Sequence, residues 1–310
     1  MMNWYSFEPA DTLFFRGAQP MNIGENHTAA AEFPPPAQTI AGALRTAVLR
    51  QNNVSIGDYY LTPVNERIMS LIGSADRAAG FLVIGPLFRL GDAVFTPAPY
   101  SWFTDKRDTP KGNVRVYRSR PINNGLVVNS TGSLYWVKGE EGELETLGGR
   151  WILLSDLHSQ KKEVHVKHLH DFFVDEPRTG IALEKNRRVR QHHIYSFTHA
   201  RLRTGVSIVF GVDKDLPLAE EGILKLGAEQ RFGIYRKISA IQTKHSNTGL
   251  YLSLSLVEGT KEANNAVVAT GKVKYLGGWD MKKGFHKPMK GYFPPGSVFD
   301  KKLNGNFIEL

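Results

Sequence analysis

Directly after Phe33-Pro34-Pro35-Pro36, the residues Ile40, Ala43, Leu44, Ala47 and Val48 recur at helical spacing. This spacing predicts a helix from Gln38, capped by Thr39, with the prolines just outside it. The surrounding sequence comes in short runs broken by turn residues. Trp4-Tyr5-Ser6-Phe7 reads as a strand ending at Glu8-Pro9-Ala10-Asp11, and Phe81–Ile84 and Ala93–Thr96 flank Leu90-Gly91-Asp92 as strand, turn and strand. A firm helix set among short strands specifies an α+β fold with antiparallel sheets. Residues 18–36 show no apolar period and read as a long loop, a length usually kept for a function.

The last third repeats the theme. His193–Phe197, Val206–Val212, Tyr235–Ile241, Tyr251–Val257 and Ala266–Thr270 read as strands, and Glu220–Leu226 as a short helix. Tyr100–Asp175 fits the pattern poorly and reads as inserted hairpins and loops. The expected organisation is therefore an N-terminal domain over 1–99, an inserted region over 100–175 and a C-terminal domain over 176–310. A length of 310 residues suits two cores. The 41% share of hydrophobic residues, with 17 Phe, 11 Tyr and 5 Trp, supplies the material and excludes a disordered or fibrous chain.

Lys and Arg outnumber Asp and Glu by 39 to 30, a net charge of +9, which favours a polyanionic partner. Cysteine is absent, so disulfides and thiolate metal sites are unavailable and a reducing compartment is expected. Neither a signal-peptide pattern at the N-terminus nor a run of 18 apolar residues occurs. The expectation is a cytoplasmic protein with no membrane contact.

Signatures of common chemistry are missing: the sequence holds no phosphate-binding G-x-x-x-x-G-K-S/T loop, no G-x-S-x-G turn and no H-E-x-x-H pair. His158, His165, His168 and His170 beside Asp171 have the right donors for zinc, but they match no fixed spacing and stand among Lys161, Lys162 and Lys167. They read as a polar exposed hairpin. His192, His193 and His199 lie among arginines and supply the parts of a metal-independent RNA-cleaving site, although His192 and His193 would point to opposite faces of a strand. No catalytic residue, metal or cofactor is expected, with an RNA-processing endoribonuclease as the alternative.

Two basic stretches carry more information. From Arg178 to Arg203, Lys and Arg face a single acid, Glu184, with Tyr195 and Phe197 close by. Such cations for phosphates, interleaved with aromatics for base stacking, suit single-stranded RNA. From Lys272 to Gly296, Gly277-Gly278-Trp279-Asp280 is followed by Lys282, Lys283 and Lys287, where glycines permit close approach of a phosphate and lysines add charge.

These pieces, in this order, resemble the RAMP proteins of CRISPR effector complexes, in particular the family of the third Cmr subunit of type III-B systems. Glu8 through Arg16, Phe33-Pro34-Pro35-Pro36 through Gly42-Ala43-Leu44-Arg45-Thr46, Pro177-Arg178-Thr179-Gly180-Ile181-Ala182-Leu183, and Gly277-Gly278-Trp279-Asp280 with Lys287-Pro288 and Pro295-Gly296-Ser297-Val298 carry the likeness. Leu226-Gly227-Ala228-Glu229-Gln230-Arg231 departs from the family's Leu-Gly-Gly-Glu-Arg by one glycine and one position.

The resemblance implies two ferredoxin-like, RRM-like domains that hold the 5′ repeat-derived tag of a crRNA without cutting it. Such a subunit docks on a large palm-domain subunit and a backbone RAMP subunit, and is not expected to act as a homo-oligomer. The residues expected at RNA are Arg16, Arg45, Arg178, Arg187, Arg188, Arg190, Arg231, Gly277, Gly278, Trp279, Lys283 and Lys287.

Overall fold

A computed structural model describes residues 2–15, 17, 28–29, 32–61, 66–74, 79–108, 112–122, 134–137, 142–184, 186–243, 248–280 and 284–310. The fold is mixed, with mostly antiparallel sheets and few helices. Two compact units interleave along the chain. The first takes Met1–Val83, Phe172–Ser239 and Tyr275–Met289, and the second Ile84–Asp171, Ala240–Lys274 and Lys290–Leu310. This division differs from three consecutive regions because strands far apart in sequence pair with one another.

In the first unit, strand β1 (Asn3–Pro9) lies between β4 (Val206–Val212) and β6 (Phe232–Ile238), antiparallel to both. Strand β5 (Glu221–Lys225) pairs with β6 at the end of the row, giving the order β5-β6-β1-β4. Alternation along β1 places Tyr5 and Phe7 on one face, opposite Phe210 and Ile208 on β4, with Tyr235 of β6 beside them. The Tyr5 ring stacks on Phe210 at 5.8 Å and meets Tyr235 edge-on at 5.9 Å. Helix α1 (Ala37–Gln51) is tied to this face: Gln51 Nε2 donates to the Tyr235 hydroxyl at 2.8 Å, and Ile40, Leu44 and Val48 are buried.

Helix α1 begins at Ala37 and not at the expected Thr39 cap. Pro36, in extended conformation, stands at the N-cap and offers no side-chain hydrogen bond. Three prolines pre-set an extended entry and end where a helix can start, so no hydroxyl cap is needed. The expected helix over Glu220–Leu226 is also corrected, since it is strand β5. Gly222 weakens a helix there, and burial alternates with period two: Leu224 is fully covered while Ile223 is 47% exposed.

Two further hairpins belong to the site. Strands β2 (Phe173–Leu183) and β3 (Val189–Leu202) form a long antiparallel ribbon, with a bulge between Ile181 and Leu183. Strands β7 (Lys274–Asp280) and β8 (Phe285–Phe293) form the other, of which residues 275–289 count with the first unit.

The second unit holds Val83–Leu90, Ala93–Pro97, Trp151–Leu153, Glu163–Lys167 and Gly112–Arg115 side by side in that order. Much of Tyr100–Asp175 thus builds a core, with Trp151, Val164 and Val166 buried and Trp151 edge-on to Phe88 at 4.7 Å. A smaller four-stranded sheet carries the helix Lys261–Ala266, which the sequence pattern did not predict. Thr260 caps it by accepting from the Ala263 amide, and Ala263 and Ala266 pack on Phe299 and Phe307.

Among the described residues no three His, Asp or Glu side chains gather as metal ligands. His158 Nε2 meets the Glu309 carbonyl at 2.7 Å, His165 meets Asn113 at 3.2 Å, and Arg150 donates to His168 at 3.3 Å. No helix of the described residues is long and apolar enough to cross a membrane.

Candidate nucleic-acid interface

The base of the β2–β3 ribbon carries a cluster of ion pairs. Register places Val174, Glu176 and Arg178 of β2 opposite Arg201, His199 and Phe197 of β3, so all six side chains share one face. The segment after β1 runs beside β3, held by reciprocal backbone hydrogen bonds of 2.8 Å between Leu13 and Ala200. Phe14 then stacks on His199 at 5.1 Å and packs on Phe197 at 5.3 Å.

Asp11, on that segment, is the hub. Its carboxylate accepts from Arg178 at 2.9 Å, from Arg201 at 2.8 Å and from Arg231 at 3.0 Å. Glu176 accepts from Arg178 at 2.8 Å and also from Arg201. Glu229 accepts from Arg231 at 3.3 Å. Hydrogen bonds, first from Arg178, hold the Asp11 carboxyl down at about 2, and those led by Arg201 bring Glu176 to about 2. The guanidiniums of Arg178 and Arg201 are raised in turn, chiefly by Glu176. Three arginines meet three carboxylates, so the cluster is neutral within itself.

His199 is 1% exposed. Burial first, then the Arg231 charge, lowers its pKa, so the ring is neutral at pH 7. Its Nδ1 shares a hydrogen bond of 3.0 Å with the Thr12 hydroxyl. A ring so enclosed cannot reach a phosphate.

The expected RNA contacts therefore separate. Arg178 and Arg231 belong to the ion cluster. Arg45 turns inward, its guanidinium over the Tyr59 ring at 5.5 Å and bonded to the Tyr59 hydroxyl and the Ser74 carbonyl. Arg187 and Arg188 are exposed in the turn of the ribbon, where the Glu184 amide donates to the Arg188 carbonyl at 2.8 Å and Arg187 has a left-handed φ of 63°.

Gly277 and Gly278 lie within strand β7 and not in a turn, opposite Lys287, whose side chain is exposed. Beside them Tyr275 and Phe285 are 62% and 68% exposed. Arg16 and Lys283, and the side chains of Arg190 and Trp279, lie outside the described residues.

Sequence reasoning missed Asp11, Glu176 and Arg201 as a unit. The signal was available in part, since Glu176 and Arg178 two residues apart on one strand must share a face.

The fold is similar to that of chains in two solved structures. A cryo-EM structure of the Type III-B Cmr-beta bound to cognate target RNA contains one such chain, with TM-score 0.58 and 17% identity over 96% of this chain and 86% of that one. A second, bound to cognate target RNA and AMPPnP, gives 0.57 and 17% over 96% and 85%. No curated protein matches the sequence. The family model for the CRISPR-associated protein Cas_Cmr3 matches residues 5–250, and the chain belongs to that family.

Proposed function

We propose that this protein is a non-catalytic, RNA-binding subunit of a type III-B CRISPR effector complex that holds the 5′ tag of crRNA and docks on the palm-domain and backbone subunits. The observation that carries the RNA reading is the pair of hairpins in the first unit. One exposes Arg187 and Arg188, and the other exposes Lys287 with Tyr275 and Phe285. Cations for phosphates beside aromatics for bases suit a single strand. Arg178 and Arg231 act one step back, fixing the ribbon through Asp11.

A ferredoxin-like reading of the first unit is supported by β1 running antiparallel to strands on both sides, with α1 following it. In the second unit, a helix on a four-stranded sheet supports the same reading. The enclosure of His199 speaks against the endoribonuclease alternative.

The test is binding of a synthetic tag RNA to the purified chain across a salt series. Replacing Arg187 and Arg188 by Ala removes two cations, so the slope of log K against log salt becomes shallower by roughly 1.4. An unchanged slope would remove the turn from the interface. Incubation with repeat RNA and a chelator leaves the RNA whole, whereas a single cut would establish the enzyme.

A further inference from the structure

Strand β5, Glu221-Gly222-Ile223-Leu224-Lys225, ends the row β5-β6-β1-β4. The hydrogen bonds flanking it fix which way its backbone points. Lys237 donates to the Glu220 carbonyl at 2.6 Å and Leu226 donates to the Arg231 carbonyl at 2.9 Å. In the same register Gly222 faces Tyr235 and Leu224 faces Gly233. The even-numbered residues therefore spend their N–H and C=O groups on β6, and those of Glu221, Ile223 and Lys225 point outward. Among the described residues none of these outward groups has a hydrogen-bond partner.

The side chains of the same three residues share one face with their partners on β6. Ile223, Ile234 and Phe232 are 47%, 39% and 48% exposed, an apolar island on an open edge. Arg236 donates to Glu221 at 2.9 Å at one end of it, and Lys225 stands opposite Phe232 at the other. An edge of this kind invites another strand.

We infer that the edge pairs with β5 of a second copy of this chain. The five residues are their own complement when read in opposite directions: Glu221 falls opposite Lys225 of the second copy, Ile223 opposite Ile223, and Lys225 opposite Glu221. The outward backbone groups of all three are in phase for an antiparallel ladder. Across the twofold axis the apolar row runs Ile234, Ile223, Ile223, Ile234. On either side of it a row runs Arg236, Glu221, Lys225, alternating in charge. A one-residue slip would lose both the ion pairs and the apolar match, so the register is specified. This pairing belongs to the free chain, is independent of the RNA reading, and departs from the expectation of no homo-oligomer.

Sedimentation velocity of the full-length, RNA-free chain over a concentration series is the test. The wild type shows a monomer–dimer equilibrium. Lys225→Glu sets Glu against Glu twice per dimer and breaks no ion pair within the chain, so association weakens about tenfold or more. Glu221→Lys sets Lys against Lys in the same two places, and also gives up the Arg236 pair within the chain. An equimolar mixture of the two variants restores opposite charges in both places and recovers the dimer, while Ile223→Lys abolishes it. Circular dichroism and thermal unfolding of Lys225→Glu match the wild type. A wild type that stays monomeric at every concentration overturns the inference. So does a dimer that survives Lys225→Glu, or a mixture no more associated than its components.

Discussion

Replacing Asp11 by Asn tests whether the ion cluster holds the ribbon to the sheet. The carboxyl falls from its ordinary 3.8 to about 2 in the folded protein, which corresponds to about 2 kcal/mol before solvent screening. With 42% of the side chain exposed, roughly half of that, ~1 kcal/mol, remains as stability. The folded pKa is depressed, so this contribution is fully present above pH 3.8 and is lost as pH falls through about 2. Asn cannot ionise and carries none of it.

Urea unfolding followed by tryptophan fluorescence, to which Trp4 on buried β1 contributes, should show the variant about 1 kcal/mol less stable at neutral pH. The gap closes as both proteins are taken toward pH 2. Glu176→Gln behaves alike, with its window reaching up to 4.5. Equal stabilities at neutral pH, or a gap that stays constant into acid, would refute the ionic account of how the segment after β1 grips the ribbon.

Two other substitutions separate structure from binding. Arg187 holds a left-handed backbone conformation with φ 63°, so Arg187→Gly removes strain and raises stability by up to ~1 kcal/mol. The same change removes a proposed phosphate contact and weakens tag-RNA binding; opposite signs in the two assays are the expected result. Gly148→Ala would put a methyl group 1.9 Å from Cδ1 of Tyr100, whose hydroxyl end also lies 2.3 Å from where a side chain at Gly271 would start. A Cβ there forces the ring to shift, and this overpacking costs about 3 kcal/mol in chemical denaturation. An unshifted midpoint would show that the ring moves freely.

How much of this was legible beforehand depends on the range of the interactions. Helix α1 and strand β6 followed from local period, because each has one face buried, whereas β1 and β4 followed as short runs rich in aromatic and β-branched residues, covered on both faces. Glu221–Lys225 was misread because a five-residue run with two adjacent apolar residues fits either period, and only pairing with β6 decides. The basic stretch beginning at Arg178 was visible as charge. Its division into structural Arg178 and Arg201 and exposed Arg187 and Arg188 was not, because the carboxylate that decides it, Asp11, lies 167 residues from Arg178. The burial of His199 depended on Thr12 and Phe14, equally remote in sequence.

The interleaving of the two units bears on how the chain is made. Trp4 on β1 must find Gly211 on one side and Ile238 on the other, so β1 leaves the ribosome long before either of its partners is made. At ordinary synthesis rates of about 5–20 residues per second, β1 waits roughly ten to fifty seconds for its neighbours. In that interval Trp4, Tyr5 and Phe7 are unshielded. Contacts of such sequence separation also slow the search itself. A chain truncated before Phe232 lacks the strand that covers one edge of β1, and is therefore expected to be recovered as aggregate, not as an independently folded N-terminal half.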